Sequence, residues 1–204
     1  MRLALDTDAL WKLGLCGLLA EVASLFGLQV EDFVCLPAAP HQLRRGRLRR
    51  KLGDDTCELL IPVVEEIRRL PHPDGDVPEE LVAAAGIDPG EALLFAMAAT
   101  NAELFVVTGD KRAVRVLAGL RGIADIVGGR VIVLEALFLA LARRMGVEML
   151  RDRVAPLVPH DRTIGICFGR GTQEPLEALQ SYYEDLVSEV PPGFLWDPEG
   201  ETAT

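Results

Sequence analysis

The chain has 204 residues, 50% of them hydrophobic and only 5% aromatic, with a formal net charge of −10. That length fits one domain, or one domain with a substantial appendage, and the hydrophobic share lets Leu, Val, Ile and Ala fill a core without disulfide staples. The acidic balance excludes a surface that is basic throughout, which is the usual electrostatic footprint of a nucleic-acid binder.

Residues 2–5 (RLAL) form a short apolar run that stops at Asp6 and predicts a buried strand. Residues 8–26 have helical periodicity and end before Gly27. Residues 33–36 predict a second strand, ended by Pro37. Residues 40–52 are strongly basic and helical in pattern, Gly53-Asp54-Asp55 breaks them, and residues 56–70 predict another helix. PHPDGDVP, residues 71–78, is a loop punctuated by Pro and Gly.

Asp88, Pro89 and Glu91 then make a strong helix start. Asp88 caps, Pro89 takes the first helical position, and Glu91 stands three residues after the cap. The helix runs to about Asn101, a strand follows over 103–108, and Gly109-Asp110 opens a helix to about Leu120. A strand over 130–134 and a helix over 135–144 complete the alternation. Beyond Gly146 the pattern weakens. A strand over 163–168, a helix over 173–190 and a loosely ordered tail over 191–204 are expected. His41 and His72 sit beside prolines and are expected at the surface, and His160-Asp161 in a loop. Trp196 and the Tyr182-Tyr183 pair are expected to pack the tail.

Strands alternating with helices predict an α/β fold, a parallel sheet with helices on both faces. The expected organisation is a domain over 1–146, a C-terminal helical extension over 147–190 packed on it, and the tail. Cys16, Cys35, Cys57 and Cys167 form no C-x-x-C pair and read as reduced thiols. Acids interrupt any secretory apolar stretch in MRLALDTDAL. The apolar run over 10–30 contains Lys12, Glu21 and Gln29, and that over 131–142 is short and contains Glu135. A cytoplasmic protein with no membrane partner is the expectation.

In parallel α/β sheets, functional groups collect at the carboxyl ends of the strands. Asp6 follows the first strand and Asp110 follows the VVTG strand. Glu91 begins the helix that leads into that same strand, so it returns to the same edge. Clustered carboxylates repel, and a hard divalent cation with oxygen ligands relieves the repulsion. Such an ion can activate water and stabilise charge developing on a phosphate. Each acid also has a structural role to hand: Asp6 as the end of a strand, Asp8 and Asp110 as helix caps, Glu91 as partner of Asp88 in a capping box.

These residues resemble the PIN-domain family. LALDTDAL resembles its first motif, a strand ending in Asp, then Ser or Thr, then a variable polar residue. IDPGEALLFAMAATNAELFVVTGDKRAV resembles its central and later motifs: an acid opening an Ala-rich helix, a strand, then Thr-x-Asp. The resemblance spans roughly residues 2–134. It implies a PIN-like α/β/α sandwich in which Asp6, Glu91 and Asp110 bind Mg²⁺ or Mn²⁺. Asp8 joins them at the variable polar position, and Thr108 orients an acid by hydrogen bonding. It further implies a metal-dependent ribonuclease that hydrolyses single-stranded RNA, as do the toxins of bacterial toxin–antitoxin pairs. An antitoxin-like protein and a second copy of the chain are the implied protein partners.

The sequence departs from that family at one place. Another acid is usual on the helix after the second strand, and the matching residue here is Gln42, which supplies an oxygen but no charge. Glu65 or Glu66, on the next helix, is the nearest candidate to compensate. The same basic stretch holds Arg44, Arg45, Arg47, Arg49, Arg50 and Lys51 with no acid among them. It reads either as an RNA-backbone contact or as a solvated or partner-docking face.

Two rival readings remain. A non-catalytic PIN-like binding module fits Gln42 and the net charge. LALDTDAL also resembles the D-x-D signature of haloacid-dehalogenase-like phosphatases, in which the first Asp attacks phosphate. That family needs a hydroxyl residue ending the second strand and a later Lys. FVCLP has no hydroxyl residue, Lys111 begins a helix, and Glu91 would have no role.

Overall fold

The computed structural model describes residues 1–71 and 76–200. His72 and the centre of the expected loop over 71–78 lie outside the described residues, as do residues 201–204.

The chain opens with strand β1 (Arg2–Leu5), whose Leu3, Ala4 and Leu5 are fully buried. Such a run suits a central strand covered on both faces. Helix α1 (Thr7–Leu15) follows at once, and α2 (Leu19–Leu25) comes after a break. The single helix expected over 8–26 is therefore two, because Gly17 takes a left-handed φ of +60° that ends the first. Strand β2 (Phe33–Cys35) comes next.

The basic stretch also divides, into α3 (Ala39–Arg45) and α4 (Arg47–Leu52). At the junction, a Cβ on Gly46 would stand 2.7 Å from the Gln42 backbone, so only glycine fits. Helix α5 (Asp54–Glu66) ends earlier than expected, since Arg68–Arg69 form a short edge strand, β3, beside β2. The open edge of β2 overrides the local helical pattern there; the Leu70 amide donates to the Cys35 carbonyl at 2.8 Å.

A short helix, α6 (Glu79–Ala83), precedes α7 (Pro89–Thr100) and β4 (Leu104–Thr108). Then come α8 (Lys111–Gly119), α9 (Arg121–Val127), β5 (Val131–Val133) and α10 (Leu134–Met145). The extension contains α11 (Val147–Val154), α12 (Arg162–Phe168) and α13 (Pro175–Ser188). The strand expected over 163–168 is instead α12. Its short apolar run is equally compatible with a buried helix, and the Asp161 carboxylate caps it by accepting from the Ile164 amide at 2.9 Å.

The fold is α/β; among the described residues, five strands form one parallel sheet in the order β3-β2-β1-β4-β5. Leu5 lies beside Cys35 on one side and Val107 on the other. The strand order reverses between β1 and β4, and a crevice opens at the carboxyl ends of strands at such a switch point. Helix α13 packs against α10 and α12. The stretch beyond residue 190, expected to be loose, lies against the β5 edge: Leu195 bridges Val131, the Trp196 amide donates to the Val131 carbonyl at 2.9 Å, and Phe194 is buried. All four cysteines are free and buried. Among the described residues, no helix is long and apolar enough to cross a membrane.

Candidate functional site

A cleft of about 730 Å³ opens at the switch point between β1 and β4. Asp6, Asp8, Asp88, Glu91 and Asp110 line it, and so do the cations Arg47, Lys51 and Lys111. Asp6, Glu91 and Asp110, predicted from three separate segments, thus meet at one cavity. Gln42 and Asp8 line it too.

Asp6 is the first residue after β1, and its Oδ1 accepts from the Thr7 amide at 2.6 Å as the helix cap. Its Oδ2 accepts from the Thr108 hydroxyl at 3.4 Å. Thr108 Oγ1 in turn accepts from the Asp110 amide at 3.0 Å. One buried hydroxyl at the end of β4 therefore links two of the acids. Asp110 caps α8 with Oδ1, accepting from Arg112 and Ala113 amides at 2.8 and 3.0 Å. Glu91 takes part in the capping box with Asp88, its Oε2 accepting from the Asp88 amide at 2.7 Å. Capping and clustering are the same geometry here, because each cap lies where a helix N-terminus meets the sheet edge.

The electrostatics are strained. Burial, with the nearby charges of Asp8 and Asp88, pushes the Asp6 carboxyl up to about 7 against the pull of the Thr7 amide. Burial likewise pushes Glu91 up to about 8; the Asp88 amide opposes this, and the charges of Asp88, Asp110 and Asp6 add to it. Asp8 is different. Trp11 Nε1 donates to its Oδ1 at 3.1 Å, and Lys12 Nζ is paired with its Oδ2. Both oxygens of Asp8 are thus engaged by the chain.

The basic run splits by orientation. Arg47 and Lys51, one helical turn apart on α4, line the cleft, and Lys51 Nζ stands 5.0 Å from the centre of the Trp11 ring. Arg44 is paired with Glu65, while Arg49 is paired with Asp54 at 2.6 Å and Glu58 at 2.9 Å. Arg45 and Arg50 are exposed. Neither Glu65 nor Glu66 lines the cleft, so neither takes the place of the absent acid at Gln42.

Three participants were not anticipated: Asp88 as a cleft carboxylate, and Lys12 and Asp161 behind the cleft. Lys12 is the one cation in the apolar helix α1 and stands four residues after Asp8, which was a usable signal. Asp161 had none, because it lies 149 residues from Lys12 and reaches it only through the fold. Among the described residues, no three Asp, Glu, His or Cys side chains stand in metal-holding geometry.

No family model, curated protein or solved structure matches the chain.

Proposed function

We propose that the chain is a PIN-like, Mg²⁺- or Mn²⁺-dependent ribonuclease acting on single-stranded RNA. One observation carries the reading: acids from three separate segments, Asp6, Glu91 and Asp110, line one switch-point cleft whose rim also bears Arg47 and Lys51. The raised carboxyls of Asp6 and Glu91 fit a site that takes a cation, since a divalent charge there relieves both burial and mutual repulsion. Asp6, Glu91 and Asp110 would hold it, largely through its own water shell, as suits an open set of carboxylates. When bound, the ion supplies an activated water and neutralises charge on the phosphate.

The chain's own residues do the rest. Thr108 keeps Asp6 and Asp110 in fixed relation through its hydroxyl. Arg47 and Lys51 offer the phosphate backbone two cations at the cleft wall. The choice of RNA, and of an antitoxin-like protein partner, rests on the resemblance of LALDTDAL and GEALLFA…VVTGD to the PIN family.

A catalytically silent binding module is the second reading, favoured by Gln42 at the cleft in place of a further acid. The phosphatase reading gains Lys111 at the cleft. It still lacks a hydroxyl residue after β2, and it leaves Glu91 without a role.

The test is to incubate the full chain with end-labelled single-stranded RNA of mixed sequence and Mn²⁺. Cleavage that chelator and Asp6→Asn both abolish supports the nuclease. Intact RNA together with Mn²⁺ binding favours the silent module. Phosphomonoester hydrolysis without RNA cleavage points to the phosphatase.

A further inference from the structure

Behind the acid cleft lies a second charged cluster that the proposed reaction does not use. Lys12 is buried, at 6% exposure, and its Nζ is paired with Asp8 on its own helix and with Asp161 Oδ2 at 2.6 Å. Burial works against the lysine charge, but the two carboxylates together hold its pKa above the usual lysine value. Asp161 is held below the carboxylate range: burial opposes its ionisation, and Lys12, the Ile164 amide and Lys111 outweigh that.

The neighbouring Lys111, directly after Asp110, reaches into the same region. Its Nζ pairs with the buried Glu135 at 2.7 Å, contacts the Thr163 hydroxyl at 3.3 Å and lies 5.1 Å from the centre of the Tyr182 ring. His160 meets Trp11 edge-on, with ring centroids 6.3 Å apart. Asp8, Lys12, Trp11 and Lys111 belong to the segment that forms the cleft. Asp161, Thr163, His160 and Tyr182 all belong to the extension beyond residue 146.

The geometry points to the extension as a working part of the cleft: Asp161, acting through Lys12, is a positioning residue that sets the place of Asp8 and how much cationic charge faces it. Three relations carry this. Both oxygens of Asp8 are engaged, one by Trp11 and one by Lys12, so the position of Lys12 sets that of Asp8. Lys12 is shared between two carboxylates, so Asp161 governs how much positive charge remains to offset Asp8. And Gly109, between Thr108 and Asp110, is closed in by this group: a Cβ there would stand 2.5 Å from Asp8 Oδ2 and 3.3 Å from Lys12 Nζ. The Asp8–Lys12 pair therefore stands directly against the Gly109 backbone, in the turn that links Thr108 to Asp110.

This inference rests on the reading of the cleft as a divalent-metal site. The experiment titrates Mn²⁺ into the full chain by calorimetry, for wild type, Asp161→Asn and Lys12→Gln, each with its melting temperature. Asp161→Asn leaves Lys12 with one counter-charge, so more of its positive charge opposes the ion, and Mn²⁺ affinity falls about three- to tenfold. Lys12→Gln removes the cation, leaves Asp8 unneutralised beside Asp6, and raises affinity by about the same factor. Both variants lower the melting temperature, so a merely structural role would shift the two affinities in the same direction. Asp161→Ser keeps an oxygen for the Ile164 amide and replaces the Asn variant if that does not fold. Asp161→Glu, which keeps the charge, restores affinity towards wild type, and with the Asp161 variants alone it decides the matter if Lys12→Gln does not fold. Wild-type affinity in a folded, uncharged Asp161 variant overturns the inference and leaves the metal reading standing. Absence of Mn²⁺ binding in wild type overturns both.

Discussion

Asp88 and Glu91 are bonded to each other twice. Asp88 Oδ1 accepts from the Glu91 amide at 2.8 Å, and Glu91 Oε2 accepts from the Asp88 amide at 2.7 Å. The exchange starts α7 and holds two carboxylates side by side at the cleft. One Glu91 oxygen is committed to the helix start, which leaves Oε1 as the oxygen available to a ligand. Gly90 lies between them where a Cβ would meet the Leu36 Cδ1 methyl at 2.8 Å and Asp88 Oδ1 at 3.2 Å, so any larger residue there would displace the Leu36 side chain.

That crowding gives stability a definite pH dependence. The folded chain holds Asp6 and Glu91 at about 7 and about 8, above their ordinary values of 3.8 and 4.5. From pH 4 to 8 the folded state therefore binds more protons than the unfolded one, and stability falls as pH rises through that window. For Asp6 alone the loss is roughly 2–4 kcal/mol. In chelator, Asp6→Asn should gain on wild type by roughly 5–10 °C in melting temperature between pH 5 and pH 8. A gap between the two that stays constant with pH would contradict the buried, repelled state of Asp6.

Divalent metal should reverse that loss. At pH 8 and Mn²⁺ at about a hundred times its dissociation constant, wild type gains about 2.7 kcal/mol, and Asp6→Asn and Glu91→Gln gain little. Thermal melts with and without Mn²⁺ read this directly. Equal gains in wild type and both variants would show that the ion binds elsewhere.

Gln42→Glu should restore a charge at the position where the family resemblance expects one. Mn²⁺ binds tighter by about tenfold, while the metal-free chain loses stability because a further carboxylate joins the cluster. Paired calorimetry and melting measurements check it. A metal affinity that does not move would mean that residue 42 lies beyond the reach of the ion.

Arg47 and Lys51 should carry the RNA contact of the basic run. Arg47→Ala with Lys51→Ala lowers the slope of log affinity against log salt by about 1.4, since each single-strand phosphate contact contributes about 0.7. Arg44→Ala with Arg49→Ala changes it less, because both cations are already paired with acids of α5. Fluorescence anisotropy with a labelled oligonucleotide, in chelator to prevent cleavage, separates the pairs. Equal slopes for the two double variants would remove the distinction.

Gly109→Ala should cost about 1–3 kcal/mol, as its Cβ would meet Asp8 Oδ2 at 2.5 Å and Leu134 at 2.9 Å. Gly119→Ala, at the end of α8 with nothing within 4 Å, should change stability by less than about 0.5 kcal/mol. Chemical denaturation of both compares them under the same conditions.

The sequence by itself carried the parallel sheet, because short apolar runs such as RLAL and LFVVT alternate with helical periods and need cover on both faces. It also carried the convergence of Asp6, Glu91 and Asp110, since a strand end and a helix start on one sheet edge must meet. Where local signals were ambiguous or absent, only the tertiary structure decided. Residues 163–168 are apolar in a pattern that suits strand or helix, and the cap from Asp161 makes them α12. Arg68–Arg69 join the sheet because the β2 edge is open to them. The basic stretch looked like one surface, yet only Arg47 and Lys51 line the cleft, because Gly46 breaks the helix and acids of α5 take up Arg44 and Arg49. The pairing of Lys12 with Asp161 joins residues 149 positions apart. No periodicity or spacing encodes such a contact; it exists because the extension folds back onto α1 and sets the half-buried Asp161 against the buried Lys12.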